Sequence, residues 1–215
     1  MARSVFFSFH YQRDVFRVHQ VKNHHIAKGN YALAGFFDGS LEEKAEASGA
    51  VYVKNLIDDG MSGSSVLCLL IGKETYKRRW IDYEILRAVG CGMGVFGIRI
   101  HRLKDTRPNA QADLEDGADY SGSNPLSFLK YVHRAGKLQP MIRYGSDWKN
   151  APYQSAMSEV SAPPYLKSLG MLSGIFRRST EIYLHNIFRV YDWVDDSGYL
   201  KFGSWVETAA RQAGK

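Results

Sequence analysis

The sequence predicts an α/β fold in which a central parallel sheet carries helices on both faces. Short runs of aliphatic, β-branched and aromatic residues alternate along the chain with segments of helical periodicity, as they do in parallel sheets. One of these runs, residues 66–71, is apolar throughout between Ser65 and Gly72. Because no polar residue interrupts it, we expect a strand that is covered on both faces.

The N-terminal part of the chain predicts two further strands and a helix. Residues 5–9 (VFFSF) and 31–37 (YALAGFF) are aromatic and apolar runs of strand length. The helix is expected over residues 14–23, where Val15 and Val18 fall on one helical stripe.

A capping box predicts the start of the next helix. Ser40 and Glu43 have the spacing at which each side chain accepts a hydrogen bond from the other residue's free backbone N–H. We expect this helix to run from Ser40 to Asp58 or Asp59 and to be stopped by Gly60.

The strand at residues 66–71 is followed by a third helix and a fourth strand. Residues 78–89 predict the helix, because Ile81 and Ile85 are spaced to face a core. Residues 95–100 (VFGIRI) predict the strand.

The C-terminal part predicts a last strand and a last helix. Residues 187–191 (IFRVY) have strand composition. Ser204 and Glu207 again have capping-box spacing, and they predict an amphipathic helix that ends at Ala213.

The span from residue 103 to residue 186 interrupts this alternation. It is too long for a simple connection between neighbouring elements. We interpret it as a rim loop and insertion within a single domain of residues 1–215, with short helices near residues 126–134 and 165–177. Leu166, Leu169 and Leu172 form an apolar stripe on the second of these helices, which either packs on the sheet or contacts a second copy in a homo-oligomer.

Composition excludes several classes of protein. The chain has 215 residues, of which 45% are hydrophobic and 23% charged, and this is ordinary globular composition. Two cysteines do not make a disulfide scaffold. The sequence shows neither a signal-peptide h-region nor a membrane-spanning run, so we expect a cytoplasmic protein with no membrane contact.

The motifs of common nucleotide, metal and hydrolase sites are missing from the sequence. There is no GxGxxG after the first strand, no GxxxxGK[ST], no CxxC or HExxH and no GxSxG. We therefore expect no bound metal. A net charge of +6 suits an anionic partner, but no recognised DNA or RNA motif accompanies it.

Candidate site residues lie where predicted parallel strands end, because ligands of such sheets bind at that edge. Ser8, His10 and Tyr11 follow the first strand and Asp38 follows the second. Each has a structural alternative: Ser8 can cap the helix that follows, and His10 can be a satisfied polar residue.

Trp80 and Glu84 are one turn apart on the predicted helix at residues 78–89, so they share a face. An indole beside a carboxylate at a cleft edge can stack a flat cationic ring and stabilise a developing positive charge. The alternative is a half-buried tryptophan beside a solvated glutamate, and periodicity alone favours that alternative.

Nine short motifs together resemble TIR domains, specifically the bacterial TIR-like proteins of Thoeris anti-phage defence. They are VFFSFHY (5–11), AGFFD (34–38), GSSV (63–66), LIG (70–72), RWIDYEI (79–85), GIRIH (97–101), NPL (124–126), YDW (191–193) and GSWV (203–206). The resemblance spans residues 5–126 and 187–213, about two thirds of the chain. Residues 128–186 match nothing in the group.

The resemblance implies a flavodoxin-like TIR fold and an enzyme that cleaves the nicotinamide–ribose bond of NAD. It implies that Glu84 is the catalytic carboxylate and that Trp80 lies beside the substrate ring. NAD is then the substrate, with no further cofactor. The product is an ADP-ribose-derived signal, often cyclic, that activates a separate effector protein.

Two rival functions stay open at this point. One is a non-catalytic TIR module that only assembles with other proteins, and the other is a nucleotide or nucleic-acid binder. Asn124, before Pro125, is either a turn residue or a rim amide that contacts the substrate.

Overall fold

The structure, a computed structural model, describes residues 3–24, 31–36, 49–104, 122–158, 161–167 and 180–215. In chain order the strands are β1 (Arg3–Ser8), β2 (Tyr31–Phe36), β3 (Val66–Ile71), β4 (Gly94–Arg99), β5 (Leu129–Arg134), β6 (Lys137–Tyr144), β7 (Asp147–Asn150), β8 (Met157–Ser158), β9 (Thr180–Tyr183) and β10 (Val190–Asp192). The helices are α1 (Tyr11–Asn23), α2 (Ala50–Met61), α3 (Arg79–Gly90), α4 (Pro164–Leu166) and α5 (Gly198–Gln212).

The predicted parallel sheet is confirmed. Five strands pair in the order β10-β4-β3-β1-β2, and every pairing is parallel. This is the flavodoxin-like order. From β1 the chain adds β2 on one side and then β3, β4 and β10 on the other, so the switch point lies between β1 and β3. The carboxyl ends of these two strands therefore flank the crevice where ligands of such sheets bind.

Strand β3 is buried along its whole length, as its apolar run predicts. Its side chains alternate between two cores, because successive residues of a strand point to opposite faces. Leu67, Leu69 and Ile71 pack with α2 and α3, whereas Cys68 and Leu70 pack with α1 and α5. The sheet is thus covered by helices on both faces.

The predicted helix near residues 126–134 is wrong. A 3₁₀ helix at Pro125–Phe128 leads into β5, which belongs to a second, antiparallel sheet in the order β7-β6-β5-β9, with β8 paired to β6. The turn after β5 explains why this segment forms a hairpin instead of a helix. Ala135 and Gly136 both have positive φ, 48° and 73°, and they join β5 to β6 as a two-residue hairpin loop.

The last helix starts earlier than the capping box predicts. It begins at Gly198, and the Ser204 hydroxyl inside it donates to the Lys201 carbonyl at 2.7 Å instead of capping a terminus. A Cβ on Gly198 would lie 2.5 Å from the Trp193 ring, so the tight turn into α5 requires glycine.

Other boundaries differ from the predictions by a few residues. Helix α2 continues through Gly60 to Met61, and its predicted start at Ser40 lies outside the described residues. The last strand is β10, which starts at Val190 instead of residue 187. Of the predicted helix at 165–177, the structure describes α4, whose Leu166 is buried; Leu169 and Leu172 lie outside the described residues. Within the described part of the chain, no helix is long and apolar enough to cross a bilayer.

Candidate active site

Helix α3 carries the main candidate residues and is buried on almost every side. It lies between the parallel sheet and the antiparallel sheet, and the apolar core around it contains residues of both, such as Leu69 and Ile142. Polar residues of α3 that would face water on an ordinary surface helix are consequently enclosed.

Glu84 is enclosed in this way, with 3% of its surface exposed. The alternative of a solvated glutamate is therefore wrong. Burial of a carboxylate costs free energy that must be offset locally. Enclosed ionisable groups are frequent at functional sites, so the burial of Glu84 is consistent with a functional role.

Trp80 is 3% exposed as well, so the predicted position at the lip of a cleft is wrong. Its ring lies edge-on to Tyr83 with centroids 5.9 Å apart and nearly parallel to Tyr153 with centroids 6.0 Å apart. The Arg79 guanidinium lies 4.9 Å from the ring centroid. Trp80 is thus a member of the core between α3 and the antiparallel sheet.

Asp82 is a second buried carboxyl group on α3, and its burial was not predicted from the residue pattern. Two residues from Glu84, it points to another side of the helix. Burial raises the pKa of Asp82 to about 8. At neutral pH this side chain is mainly protonated, so it adds little negative charge beside Glu84.

Ser8 and His10 lie at the carboxyl end of β1, as predicted, and both are buried. The Ser8 hydroxyl finds no hydrogen-bond partner among the residues that the structure describes, so it does not cap α1. Tyr11, the first residue of α1, is half-buried beside Phe9. Asp38 lies outside the described residues.

The charges around His10 favour its neutral form. Burial is the main cause that lowers the pKa of His10, and Arg78 and then Arg13 act in the same direction, against an opposite effect of Glu74. Arg13 also lies 3.5 Å from Glu74, which ties α1 to the segment after β3. Cations therefore collect at the switch point between β1 and β3, where an anionic ligand would be attracted.

Gly72 and Asp14 form a close contact at the same edge. A Cβ on Gly72 would lie 2.2 Å from Asp14 Oδ2, so no larger residue fits. Arg17 contacts Asp14 at 3.5 Å and donates from Nε to the Leu103 carbonyl at 2.8 Å. Sequence reasoning did not single out Asp14, because its burial comes from the crossing of α1 over the end of β3.

Asn124 is a turn residue. Its Oδ1 accepts a hydrogen bond from the Leu126 N–H at 3.1 Å and caps the 3₁₀ helix. Two residues earlier, a Cβ on Gly122 would lie 2.4 Å from the Gly72 carbonyl oxygen, so this segment crosses the end of β3. Asn124 therefore lies two residues from a contact with the end of β3. Among the described residues, no cluster of three His, Cys, Asp or Glu side chains is arranged to hold a metal ion.

Two comparisons with known proteins agree with each other. A family model described as "Thoeris protein ThsB, TIR-like domain" matches residues 6–105. A curated protein of Bacillus cereus (strain MSX-D12), named "Putative cyclic ADP-D-ribose synthase ThsB1", is 38% identical over 213 residues, which cover 96% of this chain and 100% of the relative.

Proposed function

The chain belongs to the Thoeris ThsB family of TIR-like proteins, and from this premise we propose that it cleaves the nicotinamide–ribose bond of NAD to make an ADP-ribose-derived signal. The observation that carries the proposal is the identity of 38%, along nearly the whole chain, to the relative named "Putative cyclic ADP-D-ribose synthase ThsB1". The family expected from the sequence motifs is confirmed by the same comparison.

In the proposed reaction, Glu84 stabilises the positive charge that develops on the ribose. The C1′–N bond breaks, its electron pair stays with nicotinamide, and nicotinamide leaves as a neutral base. The ribose then has oxocarbenium character, as in glycoside cleavage. A carboxylate stabilises such a charge more strongly in a buried site than in water. NAD is the substrate of the proposed reaction, which needs no further cofactor.

The acceptor decides which product forms. Attack of water on C1′ gives linear ADP-ribose, whereas attack by a nucleophilic atom of the same ADP-ribose gives a cyclic product. The name of the 38% identical relative, "Putative cyclic ADP-D-ribose synthase ThsB1", supports a cyclic product.

We further propose that the edge formed by β1 and β3 holds the polar part of NAD. Ser8, His10 and Tyr11 would contact ribose or phosphate, with Arg13 and Arg78 supplying positive charge. Asn124 would contribute its amide N–H₂ group from the rim, and Asp38 would approach from the segment after β2.

We also propose how the chain is organised and which partner its product acts on. The chain acts as one domain, residues 1–215, with residues 103–186 built into it. Its diffusible product activates a separate effector, and light scattering distinguishes a monomer from a homo-oligomer. The rival is a non-catalytic module, which would leave cellular NAD unchanged.

Mass spectrometry of small molecules from cells that express this chain during phage infection tests the function. We expect an ADP-ribose-derived product and a loss of NAD with the natural chain, and neither with Glu84→Gln. Equal NAD levels in cells with the natural chain and with Glu84→Gln would refute NAD cleavage by this chain and support the non-catalytic module.

A further inference from the structure

Asp58 joins helix α2 to helix α3, the helix that carries Glu84. Its Oδ1 accepts a hydrogen bond from the Tyr83 hydroxyl at 2.6 Å, and Arg87 Nε lies 2.9 Å from the same oxygen. The other carboxylate oxygen accepts a hydrogen bond from Lys54 Nζ at 2.9 Å. One carboxylate on α2 therefore holds two side chains of α3.

These two side chains fix how α3 lies against α2. Tyr83 and Arg87 are four residues apart, so they share one face of α3. Apolar contacts between helices are non-directional, whereas hydrogen bonds hold only within narrow ranges of distance and angle. Because both side chains meet a single oxygen of Asp58, they restrict rotation of α3 about its axis and sliding along it.

The Tyr83 ring is itself held by neighbours on both helices. The Trp80 ring of α3 lies edge-on to it, with centroids 5.9 Å apart. Lys54 Nζ of α2 lies 5.9 Å from the Tyr83 centroid. The ring is thus oriented independently of its hydroxyl, which meets Asp58 from a fixed direction.

The protonation states of this cluster keep the contact intact at neutral pH. Burial alone would raise the pKa of Asp58, but hydrogen bonds from Tyr83 and Lys54 and the charge of Arg87 bring it below its ordinary value. Burial and then the hydrogen bond to Asp58 raise the pKa of Tyr83, so its hydroxyl remains a donor. A charged acceptor makes each of these hydrogen bonds stronger than a neutral one.

Glu84 lies within the turn that the two side chains enclose. It follows Tyr83 directly and precedes Arg87 by three residues. Any rotation or shift of this turn therefore moves the Glu84 carboxylate. A catalytic group must be held within about 0.5 Å of its productive position, and a misplacement of about 1 Å can cost about 10²-fold in rate.

We propose that Asp58 is a positioning residue: through Tyr83 and Arg87 it fixes the orientation of α3 and thereby the position of the Glu84 carboxylate. The inference rests on the proposed function in taking the reaction at Glu84 to be NAD cleavage. Asp58 acts only through α3 and does not contact the substrate. Its loss should therefore lower turnover more than substrate affinity.

Steady-state kinetics of NAD consumption by the purified chain test the proposal. We expect Asp58→Ala to lower kcat about 10²-fold, as a misplacement of about 1 Å does, and to leave KM nearly unchanged. Asp58→Asn should lose less, since its Oδ1 still accepts from Tyr83. Adding Tyr83→Phe to Asp58→Ala should cost little more, because both changes remove the same contact. Asp59→Ala, at the exposed neighbouring aspartate, is the matched control and should keep its kcat.

The folding of each variant is measured separately by urea unfolding. The side chains of Arg87 and Lys54 are 40% and 32% exposed, and ion pairs at such positions contribute little to stability. We therefore expect Asp58→Asn and Tyr83→Phe to be folded under the assay conditions. If Asp58→Ala is not folded, these two variants carry the kinetic test.

NMR of the backbone amides of α3 gives a second readout that needs no turnover. Asp58→Asn should shift the Glu84 resonance, and Asp59→Asn should not. An unshifted Glu84 resonance in Asp58→Asn would overturn the proposal, as would an unchanged kcat in folded Asp58 variants or a loss of kcat that only follows the unfolded fraction. A natural chain that consumes no NAD would refute the proposed function, and the Glu84 resonance would then decide the positioning role alone.

Discussion

Tyr153 of the segment after β7 lies nearly parallel to Trp80 of α3, with an angle of 17° between the ring planes. The inserted antiparallel sheet thus packs directly on the helix that carries Glu84. Because Trp80 precedes Glu84 by about one helical turn, the segment after β7 contacts α3 close to the proposed catalytic carboxylate.

Glu84→Gln should abolish most of the activity without unfolding the chain. Glutamine keeps the size of the side chain but removes the charge that stabilises the ribosyl cation. We expect kcat/KM for NAD to fall by about 10²–10³-fold, in the range found for loss of one charge-stabilising group. Unfolding in urea is the control for folding, and Glu84→Gln should unfold in one cooperative transition like the natural chain. NAD turnover within threefold of the natural chain would contradict the role of Glu84.

Trp80→Ala should destabilise the fold. A 3% exposed indole fills the core between two sheets, and truncating such an aromatic costs about 3–5 kcal/mol. Trp80→Phe should cost less, since part of the ring volume is retained. Urea unfolding curves measure both. If Trp80→Ala keeps its stability and loses only turnover, the sequence-based interpretation of Trp80 as a substrate wall is restored.

Gly72→Ala should lower both stability and activity. Its methyl group would lie 2.2 Å from the Asp14 carboxylate, so α1 or the end of β3 must move. Gly90→Ala is the matched control, because a Cβ there meets nothing within 4 Å. We expect a lower melting temperature for Gly72→Ala and little change or a small gain for Gly90→Ala. Equal melting temperatures of the two variants would show that the structure around Gly72 and Asp14 accommodates the methyl group without loss of stability.

Residue patterns predicted the parallel sheet well, because each strand and helix there has its own local signal. Strand β3 is apolar throughout, and in α3 the residues Ile81 and Ile85 are spaced to face the core. The antiparallel sheet was missed because Leu126 and Leu129 have helical spacing, whereas the deciding feature is the Ala135-Gly136 loop with positive φ. Burial of Asp82 could not be predicted from α3 alone, because it depends on how the rest of the fold packs around the helix.

Asp82 should make the stability of the fold depend on pH. Its pKa is about 8 in the folded chain, whereas an ordinary aspartate has a pKa of 3.8. Between these two pH values the folded chain binds a proton that the unfolded chain lacks, so stability falls as pH rises from 4 to 8 and then levels off. Asp82→Asn mimics the protonated side chain and should remove this dependence. Urea unfolding at pH 5 and 8 measures it, with Asp59→Asn at an exposed position as the control. A pH dependence that is the same in Asp82→Asn as in the natural chain would contradict the assignment.

Arg78 and Glu74 should move the pKa of His10 in opposite directions. Arg78 lowers the pKa of this imidazole and Glu74 raises it. Arg78→Gln should therefore shift the His10 titration to higher pH, and Glu74→Gln should shift it to lower pH, in an NMR titration of the labelled imidazole. If Arg78 also attracts the phosphates of NAD, Arg78→Gln raises KM more than it lowers kcat, and the increase shrinks at high salt because exposed charges are screened. A shift of His10 with the same sign in both variants would mean that its environment is governed by packing and not by these two charges.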